Sequence, residues 1–133
     1  MFYVEKTLTF AAAHRLNLPY QSKCNSLHGH EWRVTIKLGR SQLNKEGMVV
    51  DFKHVKNVVT AAFDHKMLNE EVPKIVAAFP PEIACQFDEQ QVKYPTAELL
   101  CLVIRYMLET NLNAGVYRVE VVESEGSKAI WTI

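Results

Sequence analysis

Two stretches of strict two-residue alternation each run on into histidine, and this feature constrains the chain more than any other. Phe2, Val4, Leu8 and Phe10 alternate with Tyr3, Glu5, Thr7 and Thr9, the pattern of a strand with one buried face, and Lys6 is its one flaw. Trp32, Val34, Ile36 and Leu38 alternate in the same way with Arg33, Thr35 and Lys37, and Gly39 closes the run. Residues of equal parity on a strand share a face. His14, reached through Ala12, therefore continues the apolar face of the first strand, and His28 and His30 continue that of the second. The extrapolation requires that no bulge intervene. Three imidazoles turned toward an interior are costly unless their nitrogens find partners, and three histidines with an open fourth position are the donor set of a catalytic zinc. Taken alone, His28-Gly29-His30 reads equally well as a polar turn. Adding His14 by parity tips the reading toward a metal.

Elsewhere the periodicity changes. Phe52, Val55, Val59 and Ala62 recur at helical spacing behind Asp51, which can cap the first turn. A second helix is expected from about Thr96, after Tyr94-Pro95, with Leu100, Val103, Ile104 and Met107 as its stripe, fraying at 111–115. A strand follows over 116–123, with Tyr117, Val119 and Val121 on one face and Arg118 and Glu120 on the other, and a short last strand at 129–131 pairs with it. Residues 70–94, with Pro73, Pro80 and Pro81, read as a long loop or lid holding at most a short helix at 74–78. The order strand, strand, helix, helix, strand, strand predicts an α+β fold with helices on one face of an antiparallel sheet.

Length and charge narrow the function. The 133 residues suit one domain spanning 1–133. Fifteen Lys and Arg against fifteen Asp and Glu leave no positive excess for phosphate neutralisation, so nucleic acid is not an expected partner. The longest apolar run, 99–104, is far short of a membrane span. Three cysteines are an odd number and too few for a disulfide framework, and a cytoplasmic location follows as the expectation.

Several residues outside the histidine faces carry possible chemistry. Cys24, in a loop beside Lys23 and four residues before His28, is a candidate base or nucleophile, or else a fourth zinc ligand closing a structural site. Cys85 and Cys101 read as inert. His65 follows Asp64 directly, so the carboxylate can fix its tautomer, whereas His54 lies off the helix stripe and reads as solvated. Glu123 continues the apolar face of its strand, where a carboxylate needs a partner such as the paired N–H groups of a 2-amino-4-oxopyrimidine ring, unless the strand ends at Val122 and the carboxylate is solvated. Glu98 suits either a pocket or the first turn of a helix, whose dipole favours acidic residues.

Phe10-Ala11-Ala12-Ala13-His14-Arg15-Leu16, Lys23-Cys24-Asn25-Ser26-Leu27-His28-Gly29-His30, Gly47-Met48-Val49-Val50-Asp51-Phe52, Asp64-His65-Lys66-Met67-Leu68-Asn69 and Pro95-Thr96-Ala97-Glu98 together resemble the 6-pyruvoyltetrahydropterin synthase and 6-carboxytetrahydropterin synthase family. They fall in family order over nearly the whole chain. The Cys-x-x-x-His-Gly-His spacing is similar to the carboxytetrahydropterin branch of 7-deazaguanine (queuosine) biosynthesis, since the pyruvoyl branch typically has a longer gap.

The resemblance implies His14, His28 and His30 as Zn2+ ligands and Cys24 as the catalytic thiol. It implies Asp64 and His65 as the pair completing a triad across a subunit boundary, Glu123 as the pterin anchor, and Thr96 and Glu98 as pocket residues at a helix start. It further implies the tunnelling fold, a four-stranded antiparallel sheet with two helices packed on one face, closing into trimers that stack as hexamers around a small-molecule pterin substrate. The implied reaction converts 7,8-dihydroneopterin triphosphate to 6-carboxy-5,6,7,8-tetrahydropterin, acetaldehyde and triphosphate. The pyruvoyl-forming reaction is the alternative enzyme reading, and a non-catalytic zinc-stabilised binding module is the alternative of another class. Two departures from the family stand out: residues 70–94 are longer than in compact members, and Ser124 follows Glu123 where Thr is common.

Overall fold

The computed structural model describes residues 1–133. Strands β1 (Phe2–His14) and β2 (His28–Arg40) pair antiparallel along their whole length, Phe2 opposite Arg40 and His14 opposite His28, with no break in register. Side chains of one parity therefore stay on one face from the core to the histidines. Leu8, Phe10, Ala12 and His14 are buried on β1, as are Trp32, Val34, Ile36 and Leu38 on β2, while the intervening residues are largely exposed or half-buried. A two-residue strand, β3 (Lys66–Met67), lies parallel to β1 at Ala12 and Ala13. On the other side β4 (Gly115–Ser124) pairs with β2, and β5 (Ser127–Thr132) with β4, giving the order β3-β1-β2-β4-β5. The expected four antiparallel strands are present, and β3 is a fifth at one edge.

Helix α1 (Phe52–Phe63) starts at Asp51, whose carboxylate accepts from Lys53 N–H at 2.9 Å, the cap anticipated from sequence. Its buried stripe is Val55, Val59 and Phe63; Phe52 is 47 % exposed and does not belong to it. Between α1 and the last helix the chain is helical where a loop or lid was expected. α2 (Leu68–Ala78), α3 (Pro81–Ala84) and α4 (Glu89–Lys93) occupy it and contribute Leu68, Val72, Val76 and Val92 to the core. Pro73 forfeits one backbone bond within α2, and burial of Leu68, Val72 and Val76 on a single face outweighs that loss. Pro81 sits at the start of α3, where its missing N–H has no role to lose.

Helix α5 (Ala97–Asn111) is capped by the Thr96 hydroxyl, which accepts from Leu99 N–H at 3.1 Å, and buries Leu100, Val103, Ile104, Met107 and Leu108 against the sheet. One face assignment on β4 is overturned. The ladder shifts between Lys37 and Leu38, so Leu38 faces Val116, and Val116, Val119 and Val121 are buried while Tyr117 turns to the opposite face. There its ring meets Tyr3 edge-on at 5.1 Å over Gly39, where a Cβ would lie 2.8 Å from both rings. No helix is long and apolar enough to cross a membrane.

Candidate metal centre and surrounding site

At one end of the inner sheet face, β1 supplies His14 and β2 supplies His28 and His30. Their ring centroids lie 4.6 Å (His14–His28), 5.4 Å (His14–His30) and 4.8 Å (His28–His30) apart. Trp32 closes the cluster from the core side, 5.0 Å from His14 and 5.2 Å from His30, and its indole N–H donates to the Ala12 carbonyl at 3.2 Å. The backbone fixes the direction of two rings. A carbonyl only accepts, so Nδ1 of His14 donates to Pro95 at 2.8 Å, and Nδ1 of His28 donates to Ser26 at 2.7 Å. Both rings therefore present Nε2 as the free lone pair.

Glu123, from β4, brings Oε1 to 2.9 Å from Nε2 of His30. This contact is of ion-pair length without hydrogen-bond alignment, and Nε2 of His14 and Nε2 of His30 are both buried with no hydrogen-bond partner. Unpartnered buried nitrogens are rare in folded proteins. One ligand atom from each of His14, His28, His30 and Glu123 falls within a mutual 4.8 Å. Three imidazoles and a carboxylate match the donor chemistry of zinc, so these residues fit a metal ion. Burial is the main influence holding the His14 pKa below the ordinary imidazole value; the Pro95 carbonyl opposes it, and the neighbouring His28 lowers it further. A neutral imidazole is the form that ligates.

The other anticipated residues surround this cluster. Cys24 lies in a 3-10 turn, Lys23–Asn25, half-buried; its N–H donates to the Ser22 hydroxyl at 3.1 Å and its carbonyl accepts from Leu16 N–H at 2.8 Å. It is outside the ligand-atom group, whose fourth member is Glu123, so the closed Cys24-plus-three-histidine site is not formed. Asp64 and His65 sit on the edge of β1. The Asp64 carboxylate accepts from Ala11 N–H at 3.0 Å and lies 3.1 Å from Nδ1 of His65, while His65 N–H donates to the Ala11 carbonyl at 2.6 Å.

The Ala11 N–H is the chief cause of a depressed Asp64 pKa, and His65 adds to it. His65 holds a φ of 60°, a left-handed conformation uncommon outside glycine, with its side chain 83 % exposed. No hydrogen bond or ion pair joins this pair to Cys24 within one chain. Thr96 and Glu98 line a cavity of about 300 Å³ with Gln91, Tyr94, Leu99 and Leu102. Pro95, whose carbonyl accepts from His14, lies in sequence between two of these lining residues, Tyr94 and Thr96. His54 is exposed, and Cys101 is buried with its thiol pushed up to about 11, chiefly by desolvation. The carbonyls of Pro95 and Ser26 escaped the sequence reading because an acceptor on the backbone carries no residue signature.

A family model described as 6-pyruvoyl tetrahydropterin synthase matches residues 3–132. A protein of Archaeoglobus fulgidus provisionally named as a 6-carboxy-5,6,7,8-tetrahydropterin synthase is 34 % identical over 121 residues, covering 88 % of this chain and 84 % of its own. The 6-carboxy-5,6,7,8-tetrahydropterin synthase of Rickettsia typhi is 29 % identical over 116 residues, covering 79 % and 78 %. Among solved structures, the Caenorhabditis elegans 6-pyruvoyl tetrahydropterin synthase superposes with a TM-score of 0.69 at 21 % identity, covering 99 % of this chain and 95 % of that one.

Proposed function

Because the chain belongs to the 6-pyruvoyl tetrahydropterin synthase family, we propose that it is a single-domain, zinc-dependent 6-carboxytetrahydropterin synthase of 7-deazaguanine (queuosine) biosynthesis, acting in the cytoplasm. Its reaction converts 7,8-dihydroneopterin triphosphate to 6-carboxy-5,6,7,8-tetrahydropterin, acetaldehyde and triphosphate. The observation that carries the reading is the converging trio of buried His14 and half-buried His28 and His30, with unpartnered Nε2 atoms on His14 and His30 and Glu123 as the carboxylate beside them. The short Cys24-to-His28 spacing and the names of the relatives above favour the carboxy-forming branch.

In this account His14, His28 and His30 hold the ion, which supplies Lewis acidity toward side-chain hydroxyls of the substrate. With Nε2 of His30 turned to the ion, the Glu123 carboxylate, which makes no hydrogen bond to that nitrogen, is left to accept two N–H groups of the pterin ring. Cys24 takes and returns protons at the substrate side chain. Asp64 orients the His65 imidazole, which exchanges protons with the same side chain. Thr96 and Glu98 line the pocket wall.

Since Cys24 and the exposed Asp64–His65 pair are unconnected within one chain, we assign their meeting to self-association, in trimers or stacked hexamers. The outer side of β1 that the two-residue β3 leaves uncovered, and the outer edge of β5, are available for it. The test is to incubate the zinc-loaded protein with 7,8-dihydroneopterin triphosphate, identify products by mass spectrometry and trap released aldehyde. Acetaldehyde with 6-carboxytetrahydropterin is the expected result. A pyruvoyl product would transfer the protein to the sister activity, and unchanged substrate would refute the assignment.

A further inference from the structure

The Asn69 side chain makes three hydrogen bonds, to two segments far from it in the chain, at Arg15 and Lys93. The parallel pairing of β3 with β1 matches Ala12 with Lys66 and Ala13 with Met67, and the same register continued brings Asn69 opposite Arg15. By then the chain has turned into α2, so no backbone remains to continue the ladder. The Asn69 amide takes its place: Oδ1 accepts from Arg15 N–H at 2.9 Å and Nδ2 donates to the Arg15 carbonyl at 2.9 Å. The second Nδ2 hydrogen reaches the Lys93 carbonyl, also at 2.9 Å. A primary amide has two donors and one acceptor oxygen, and this one uses both donors and the oxygen.

These contacts hold the residue immediately after His14 and the residue two before Pro95, the acceptor for the His14 ring. We infer that Asn69 is a positioning residue for the metal centre: it fixes β1 against the 93–95 segment so that the His14 imidazole keeps its Nδ1–H on Pro95 and its Nε2 toward the cluster. The inference rests on the reading of His14 as a metal ligand. Residues that orient ligating histidines typically change metal affinity ten- to hundredfold when mutated. Asn69→Ala removes all three bonds. Asn69→Asp keeps the acceptor for Arg15 N–H but sets a carboxylate against two carbonyls.

The test uses the full chain in two states. With zinc, affinity is measured by competition against a chromophoric chelator for wild type, Asn69→Ala, Asn69→Asp and Val59→Ala, the last a core truncation in α1 that removes none of the Asn69 bonds. Both Asn69 variants should bind zinc at least roughly tenfold more weakly, and Val59→Ala should match wild type within about twofold. Equal losses in all three variants, or wild-type affinity in the Asn69 variants, would overturn the inference.

Without metal, nitrogen-15 spectra of the imidazoles should show His14 as the Nδ1–H tautomer in wild type and as a mixture in the Asn69 variants. An unchanged tautomer would also overturn it. That arm stands even if wild-type protein binds no zinc, an outcome that would count against the metal reading alone. Should both variants fail to fold, hydrogen exchange in the wild-type protein decides: the His14 ring N–H and Arg15 amide should exchange together and slowly, and independent exchange would refute the coupling.

Discussion

The Nδ1–H of His14, at the end of β1, donates over 2.8 Å to the carbonyl of Pro95, 81 positions later. One side-chain bond thus ties the sheet to the start of α5 and sets the direction of the most buried imidazole in the cluster. With burial holding the His14 pKa below 6.5, the unfolded chain binds the proton more readily than the folded one. Stability of the metal-free protein is therefore fully present above pH 6.5 and falls as pH drops below it, by at most about 1.4 kcal/mol per pH unit for one proton. Of the charged groups facing His14, His28 and His30 push its pKa further down and Glu123 pushes it up. Thermal unfolding between pH 8 and 5 should show this slope, and His14→Leu should flatten it. An identical slope in that variant would assign the effect elsewhere.

Replacing Cys24 by Ala should lower turnover about 10²- to 10⁴-fold, the usual range for losing an acid–base group, while zinc content and folding stay at wild-type levels. Cys24 lies outside the ligand-atom group, so metal loss in this variant would contradict its proposed role as proton carrier.

Glu123→Gln should keep one zinc per chain and raise KM roughly ten- to hundredfold, because a charge-assisted pair of bonds to the substrate becomes a neutral one. A fall in zinc content with KM unchanged would make the carboxylate a ligand rather than a substrate anchor.

On the opposite sheet face, Gly39→Ala should destabilise the fold by about 1 kcal/mol, since the new methyl meets the Tyr3 and Tyr117 rings at 2.8 Å and partly exposed rings can yield. Combining it with Tyr117→Ala should cost less than the sum of the two single changes, measured by denaturant unfolding.

Particular residues show what was legible in the sequence. His14, His28 and His30 were placed by parity alone, and this succeeded because β1 and β2 pair without a bulge through the histidines. The same reasoning failed at Tyr117, where a register shift opposite Leu38 reverses the face, and nothing in the local sequence marks that shift. The helices α2, α3 and α4 were hidden by Pro73, Pro80 and Pro81, which read as breakers although two of them flank or begin α3 and the third is tolerated by the packing of Val72 and Val76. The backbone bonds around the site were illegible for another reason: Pro95 and Ser26, which hold His14 and His28, and Ala11, which holds Asp64, act through backbone atoms, which any residue supplies.

The central claim is that His14, His28 and His30 hold a catalytic zinc on a preformed sheet. It is tested most directly by titrating metal-free protein with zinc while following both binding and circular dichroism. The account predicts one zinc per chain, an apo protein that is already folded, and loss of stoichiometric binding in His14→Ala and in His28→Ala but not in Cys24→Ala. An apo chain that folds only when zinc is added, or binding that survives loss of either histidine, would contradict it.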